Sequence, residues 1–166
     1  CALPISVGTP PNSAVADFQR ARDLLNRSLS PSNIAAFFNA RNRLRVAVSG
    51  ADIASGKLSD KHLASAYTDK AVAQSMYGDI AAAFKDLDEA GKLDASSART
   101  REVRAEILTR QLKTSEALAE FAIADKLTEG GPISFLTRGH AHFYHGDFVN
   151  AARLFDKEIE RNAGSR

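Results

Sequence analysis

The stretch GHAHFYHGDFVNAARLF (residues 139–155) holds three of the four histidines of this 166-residue chain, and its small and large residues decide the fold. Gly139 is followed twelve positions later by Ala151, and one helical turn after that by the large apolar Phe155. A Gly-Asp pair at 146–147 is typical of a tight turn. The stretch is therefore predicted to be the end of one helix, a turn and the start of a second helix.

The same pattern returns twice when the sequence is shifted by 34 positions. Residues 71, 105 and 139 are small, residues 83, 117 and 151 are all alanine, and residues 87, 121 and 155 are large and apolar. The Gly-Asp pair recurs at 78–79 and is replaced by Leu-Lys at 112–113. Such a period indicates a repeat array. Apolar spacing predicts three helix pairs, at 63–79 with 80–93, at 98–113 with 114–127, and at 133–147 with 148–160.

This pattern resembles the tetratricopeptide repeat (TPR), a helix–turn–helix unit of 34 residues. The third unit is the best match, with its aromatic Phe135, its Gly139, its Gly-Asp turn and its Ala151/Phe155 pair. The chain departs from the family where Arg101 replaces an aromatic residue and where the usual leucine is replaced by Lys70, Arg104 and Arg138. Over residues 64–165 the resemblance implies an all-α fold, an α-solenoid of antiparallel helix pairs with three TPR-like repeats after N-terminal helices. The relatives that the chain resembles are secreted or lipoprotein bacterial members of the family.

Five segments follow from these patterns. We predict a flexible N-terminal tether at 1–12, N-terminal helices at 13–63, and TPR-like repeats at 64–97, 98–131 and 132–165. Helix-start signals at Asn12-Ser13 and Ser30-Pro31 predict one helix near 13–28 and one or two across 31–55. A degenerate repeat over 30–63 is one interpretation of this region.

The composition and net charge of the chain are those of an ordinary globular domain. The chain is 44% apolar and 25% charged with a formal net charge of +2, which is ordinary for a globular domain and gives no reason to expect a nucleic acid partner. Residues 1–48 nevertheless carry six arginines against two aspartates. Two interpretations of these arginines stay open, a solvated helix face and a docking patch for an anionic surface.

The only cysteine is Cys1, so no internal disulfide can form. A leading cysteine followed by a segment with Pro and Gly resembles a mature bacterial lipoprotein, which implies lipidation and a membrane tether at Cys1. That resemblance predicts a periplasmic or outer-membrane-anchored protein of the bacterial envelope. An arbitrary chain boundary and a simple secreted protein are the alternatives. No apolar run reaches the length needed to span a bilayer.

The histidine-rich stretch raises the question of a metal site. At 100° per residue, His140 and His142 point about 160° apart around a helix, so they cannot converge on one ion. Packing and surface roles, with a pH-sensitive contact as a further interpretation, are therefore expected. No phosphate loop, serine elbow or nucleophile–base spacing is found. We expect no enzyme, no metal and no cofactor.

A run of alternating charge, Arg99, Glu102, Glu106 and Arg110, follows helical spacing in the second repeat. Each glutamate has an arginine one turn away, which predicts an ion ladder on an exposed helix face. A charged binding strip is the second interpretation of the same residues.

In the TPR family, positions 2, 5, 9, 12 and 13 of each first helix line a concave groove and contact peptides. The resemblance therefore implies a binding strip that changes from charged to apolar along the array. Its residues are Arg99, Glu102, Glu106 and Arg110 in the second repeat and Ile133, Leu136, His140, Phe143 and Tyr144 in the third.

From this strip we expect a non-enzymatic protein–protein interaction module that binds a peptide or a partner helix. The alternative is a structural assembly subunit of an envelope, secretion or pilus machine that acts through outer or dimer surfaces. Terminal repeats usually need a polar cap, whereas Phe148, Phe155 and Ile159 lie near the end of this array. A homodimer that covers them is one interpretation, and N-terminal helices folded over the apolar patch are another.

Overall fold

The computed structural model describes residues 11–128 and 134–163, and every regular element in these ranges is an α-helix. The all-α prediction is confirmed, and the helices pack in adjacent pairs. The elements are α1 (Pro11–Arg27), α2 (Pro31–Ala54), α3 (Asp60–Tyr77), α4 (Ile80–Leu93), α5 (Ala98–Arg110), α6 (Thr114–Leu127), α7 (Phe135–His145) and α8 (Phe148–Ala163). The chain divides into two compact units, Cys1–Leu93 and Asp94–Arg166. A continuous solenoid stays a prediction.

In the first unit, α1 packs on α2, α2 on α3, and α3 on α4. One helix, α2, spans the region for which one or two were predicted, and the Ser30 hydroxyl caps it by accepting a hydrogen bond from the Asn33 amide at 3.2 Å. Helix α1 begins at Pro11, so residues 11 and 12 of the predicted tether lie in a helix. Proline suits the first turn of a helix because its φ is already helical and it has no amide hydrogen to satisfy. Residues 1–10 of that tether lie outside the described residues.

In the second unit, α5 and α6 form a helix pair, α7 packs on both of them, and α8 packs on α7. The predicted pairing of 98–113 with 114–127, and of 133–147 with 148–160, is confirmed within the described residues.

The repeat register is confirmed by burial. All six small residues at the two predicted close-approach positions are buried in the described residues, namely Ala71, Ala105, Gly139, Ala83, Ala117 and Ala151. Leu87 and Phe121 are buried beside them, whereas Phe155 is half-buried. Small residues let two helix backbones approach closely, and the large residue one turn later fills the space that remains.

The three interhelical turns share one capping hydrogen bond. The amides of Asp79, Lys113 and Asp147 each donate to the carbonyl five residues earlier, at 3.0, 3.0 and 2.9 Å. This Schellman arrangement requires a left-handed residue just before the donor. Gly78 and Gly146 supply it at φ 98° and 89°, but Leu112 takes it at φ 60°, where a side chain is strained.

A basic residue recurs at positions 70, 104 and 138, and its partners were not predicted. Lys70 Nζ lies 3.0 Å from Asp86 Oδ2, and Arg104 Nε lies 3.9 Å from Glu120 Oε1, so each joins the two helices of its own pair. In the third repeat the corresponding acid is replaced by Leu154. Arg138 therefore pairs with the preceding repeat, as described below.

Candidate binding surface

One side of α7 carries an exposed apolar stripe. Leu136, His140, Phe143 and Tyr144 follow the spacing i, i+4, i+7 and i+8, which places them on one helix face. The exposed fractions of Leu136, Phe143 and Tyr144 are 48%, 49% and 55%, large values for apolar side chains on a packed helix. These are four of the five binding residues predicted in the third repeat. The fifth, Ile133, lies outside the described residues, as does Cys1.

Aromatic contacts continue this stripe onto α8. The ring centroids of His140 and Phe155 lie 5.4 Å apart, and those of Phe143 and Phe148 lie 5.5 Å apart. Phe148 and Ile159 are 62% and 65% exposed. Phe148, Ala152, Phe155 and Ile159 share one face of α8 by helical spacing. We call the surface formed by these residues and by Leu136, His140 and Phe143 of α7 the α7–α8 groove.

The two helices of this groove meet closely at Gly139. A Cβ atom at that position would lie 2.7 Å from Cδ1 of Phe155 and closer still to its Cε1. The ring of Phe155 therefore occupies the space that any side chain on residue 139 would need. This contact holds Phe155 beside His140. It also sets the distance between α7 and α8 where their apolar residues line the groove.

The charged half of the predicted strip differs from expectation at Glu102. This residue is 7% exposed, and its Oε1 accepts a hydrogen bond from Nη2 of Arg138 at 2.7 Å. The prediction that Glu102 lies on an exposed ladder, or in an open binding strip, was wrong, because α7 covers it. The predicted pair of Glu106 and Arg110 is present on the surface, and Arg99 is exposed.

Arg138 joins three helices of the second unit. Its guanidinium binds Glu102 of α5 and, at 2.7 Å, Oδ1 of Asp125 of α6, and its Cζ lies 4.6 Å from the centroid of the Phe121 ring. The arginine is 5% exposed. A buried charge needs such partners because its loss of hydration is otherwise uncompensated. The network therefore fixes how α7 sits on α5 and α6.

The histidines of the opening stretch have separate contacts. Nδ1 of His142 lies 3.0 Å from Oδ2 of Asp147 in the following turn, and Nδ1 of His145 lies 3.0 Å from Oγ1 of Thr114. His140 packs on Phe155. Nowhere in residues 11–128 and 134–163 do three metal-binding side chains come together. The opening stretch therefore forms the end of α7, a turn and the start of α8.

Asp147, in the turn between α7 and α8, accepts several hydrogen bonds through its carboxylate. Its carboxylate accepts hydrogen bonds from the side chain of Asn150 at 2.7 Å and from the Asn150 amide at 3.2 Å. These bonds, with a smaller effect of His142, lower the pKa of Asp147 because they stabilise the ionised form. Asp79 caps α4 in the same way, by accepting from the Ala82 amide, whereas Lys113 makes no side-chain cap.

The N-terminal arginines lie mainly on the surface of α1 and α2. Arg20 and Arg22 approach Asp17 and Asp23 within 3.5 and 3.8 Å, whereas Arg41 is half-buried with its Cζ 4.9 Å from the centre of the Phe38 ring. Exposed ion pairs of this kind contribute little to stability. The arrangement fits a solvated face, and the anionic-surface interpretation stays a prediction.

Comparison with protein-family models, with curated proteins and with solved structures finds no match to this chain. Among the described helices, none is both long enough and apolar enough to cross a bilayer.

Proposed function

We propose that this protein is a non-enzymatic interaction module of the TPR type, which binds a peptide or helix of a protein partner. The observation that carries the proposal is the exposed stripe of Leu136, His140, Phe143 and Tyr144 on one face of α7. Contiguous exposed apolar side chains are costly in water, and they commonly mark a surface that a partner covers.

The chemistry of the stripe suits protein recognition. Tyrosine and phenylalanine present large rigid areas with few rotatable bonds, and interface energy concentrates on such side chains and on arginine. Arg110, at the end of α5, is exposed and forms a surface ion pair with Glu106. The predicted strip is thus reduced on α5 to Arg99, Glu106 and Arg110, because Glu102 lies within the fold.

Photocrosslinking tests this proposal directly. A benzophenone amino acid placed at Phe143 should capture a partner that the same group placed at Leu29 on the first unit does not. The affinity of the captured partner should then fall at least about tenfold for Phe143→Ala/Tyr144→Ala/Arg110→Glu, as expected when aromatic and arginine anchors are removed.

The matched control is Leu24→Ala/Leu29→Ala/Arg27→Glu, which removes two exposed apolar side chains and one arginine from the first unit. Equal affinity of both triple variants and wild type would contradict a binding role for α7.

A second candidate is a structural assembly subunit that self-associates through α8. Val149, which is 78% exposed, favours it together with Phe148 and Ile159. Light scattering under reducing conditions tests this candidate. If it is correct, wild type should be a dimer and Ile159→Glu a monomer. A wild-type monomer at all concentrations would contradict it.

A further inference from the structure

Helix α7 packs on a surface that we call its seat. The contacts there indicate which side chains a helix needs in order to pack on such a surface. The seat is formed by α5 and α6, and its contact residues are Glu102, Thr114, Phe121 and Asp125. Two acids and an aromatic ring surround Arg138, the one buried base of α7. Charge at the centre of this seat is thus matched by charge on the seated helix.

The α7–α8 groove is the same seat one repeat later. Adding 34 to each contact residue gives Leu136, Phe148, Phe155 and Ile159, all of which line the groove. Glu102 is 7% exposed beneath α7, whereas Leu136 is 48% exposed with no described helix above it. Because both central acids have become apolar, a base at the centre of a new helix would be buried without a partner. The groove therefore fits a helix with an apolar centre.

The edge of this groove along α8 is acidic. Asp156 and Glu160 are exposed, lie one turn apart, and make no ion pair with another described residue. Their equivalents are Ala122 and Lys126 one repeat earlier and Asp88 and Lys92 two repeats earlier, so both positions are acidic only in the third repeat. At 100° per residue, the base Arg153 lies about 60° farther from the groove around α8 than Asp156 does, and about 20° farther than Glu160.

The opposite edge, along α7, has no Asp, Glu, Lys or Arg among its described residues. Its exposed or half-exposed residues are Thr137, His140, Phe143 and Tyr144. A seated helix would therefore meet negative charge on one flank only. Charge complementarity requires basic side chains on the flank that faces α8.

We propose that the α7–α8 groove seats one amphipathic helix of a partner protein, with an apolar seam on the groove floor and Lys or Arg along the edge that faces α8. This proposal rests on the proposed function and specifies its ligand. The seated helix would extend the packing that α7 itself makes on α5 and α6.

Two synthetic helical peptides serve as probes. Both carry the same leucine seam, and along one edge the first has lysines where the second has glutamates. Fluorescence anisotropy at about 50 mM salt, where exposed charges are only partly screened, should give about a tenfold preference of the wild-type protein for the lysine peptide.

Charge reversal tests the direction of this preference. Asp156→Lys/Glu160→Lys should prefer the glutamate peptide. Asp52→Lys/Glu116→Lys changes two exposed acids outside the groove and alters the net charge equally, and it should keep the lysine preference. Both peptides should bind at least tenfold more weakly to Ile159→Asp. An unchanged preference in the Asp156/Glu160 variant, or a reversal in both variants, would overturn the acidic edge.

The remaining outcomes separate this inference from the function on which it rests. If neither peptide binds but the photocrosslinked partner still depends on Phe143 and Tyr144, the helix seat is wrong and the interaction module stands. If the peptides bind as expected but no partner depends on these residues, the seat is present and the proposed function fails. If light scattering shows a wild-type dimer that Ile159→Glu dissociates, a second copy occupies the groove and the partner helix is excluded.

Discussion

The second and third repeats share a backbone plan, yet their faces toward the next helix have opposite chemistry. In the second repeat, Glu102 and Thr109 are polar and only 7% and 3% exposed, and Glu102 binds Arg138 of α7. Their equivalents, Leu136 and Phe143, are apolar and about half exposed. The polar pair is thus buried in the second repeat, whereas the equivalent apolar pair is exposed in the third. A covered seat can contain a carboxylate when the covering helix brings a base, whereas an open apolar seat is favourable only when something else covers it.

The largest effect should come from removing the base of the covered seat. Arg138→Met removes the guanidinium that binds the buried Glu102 carboxylate and should lower the free energy of unfolding by about 3–5 kcal/mol. Adding Glu102→Leu, which copies Leu136, should restore most of this loss because both partners are then apolar. Urea unfolding of the two single variants and the double variant measures the coupling.

Arg110→Met, which removes a base from the exposed pair with Glu106, is the control and should cost far less. A loss for Arg138→Met no greater than that of Arg110→Met would contradict the buried network.

A smaller effect is expected where the helices of the third repeat meet. Gly139→Ala places a Cβ against Phe155 and should cost about 1–3 kcal/mol by overpacking, although residues 71 and 105 are alanine. Gly91→Ala in α4 meets nothing within 4 Å and should instead stabilise the protein by roughly 0.5–1 kcal/mol. Thermal unfolding of the two variants compares them. Equal shifts of their midpoints would show that the third repeat is no tighter here than an open helix.

The turn of the second repeat can be made like that of the third. Leu112→Gly removes a strained left-handed residue and should stabilise the protein by about 1 kcal/mol, since the relief of strain exceeds the entropy that glycine loses. Lys113→Asp restores the missing cap and should add about 1 kcal/mol. Chemical denaturation measures both changes. The reverse exchange, Gly146→Leu, should destabilise, and a neutral result there would refute the role of the left-handed turn.

The smallest effect on stability is expected at low pH, where Asp147 becomes protonated. Because the pKa of Asp147 is lowered in the folded state, its stabilising contribution is present above the unfolded pKa of about 4 and is lost as the pH falls through the lower folded value. Asp147→Asn keeps a capping side chain but does not titrate. The midpoint of thermal unfolding of wild type should therefore approach that of the variant at low pH. Asp52→Asn is the control, and an equal pH dependence of both variants would contradict the assignment.

The fold was predictable because it depends on local spacing. A period of 34 residues sets which residues must be small at Gly139 and Ala151, and helix caps and turn residues set the ends of each element. The exposed stripe on α7 followed from the same period, because Leu136, Phe143 and Tyr144 exceed what the core positions of one helix can use.

The partner of Glu102 was not predicted because its burial depends on another helix. On α5 alone, Glu102 and Glu106 share a face, and nothing local shows that α7 covers only one of them. A signal was present in the charges: a base and an acid sixteen residues apart recur as Lys70 with Asp86 and Arg104 with Glu120. Arg138 meets Leu154 at that spacing, so its partner had to lie elsewhere. Both Glu102 and Asp125 were eligible, and only the three-dimensional packing selects them.

The backward pairing of Arg138 also bears on how this array unfolds. In a repeat protein each unit is stabilised by its own fold and by its contact with neighbours, and end units fray first when that contact is weak. Lys70 and Asp86 strengthen one helix pair by itself, whereas Arg138 bridges two. Its charge therefore raises the coupling between neighbours rather than the intrinsic stability of a unit. Helices α7 and α8 should accordingly melt together with α5 and α6, in one cooperative transition.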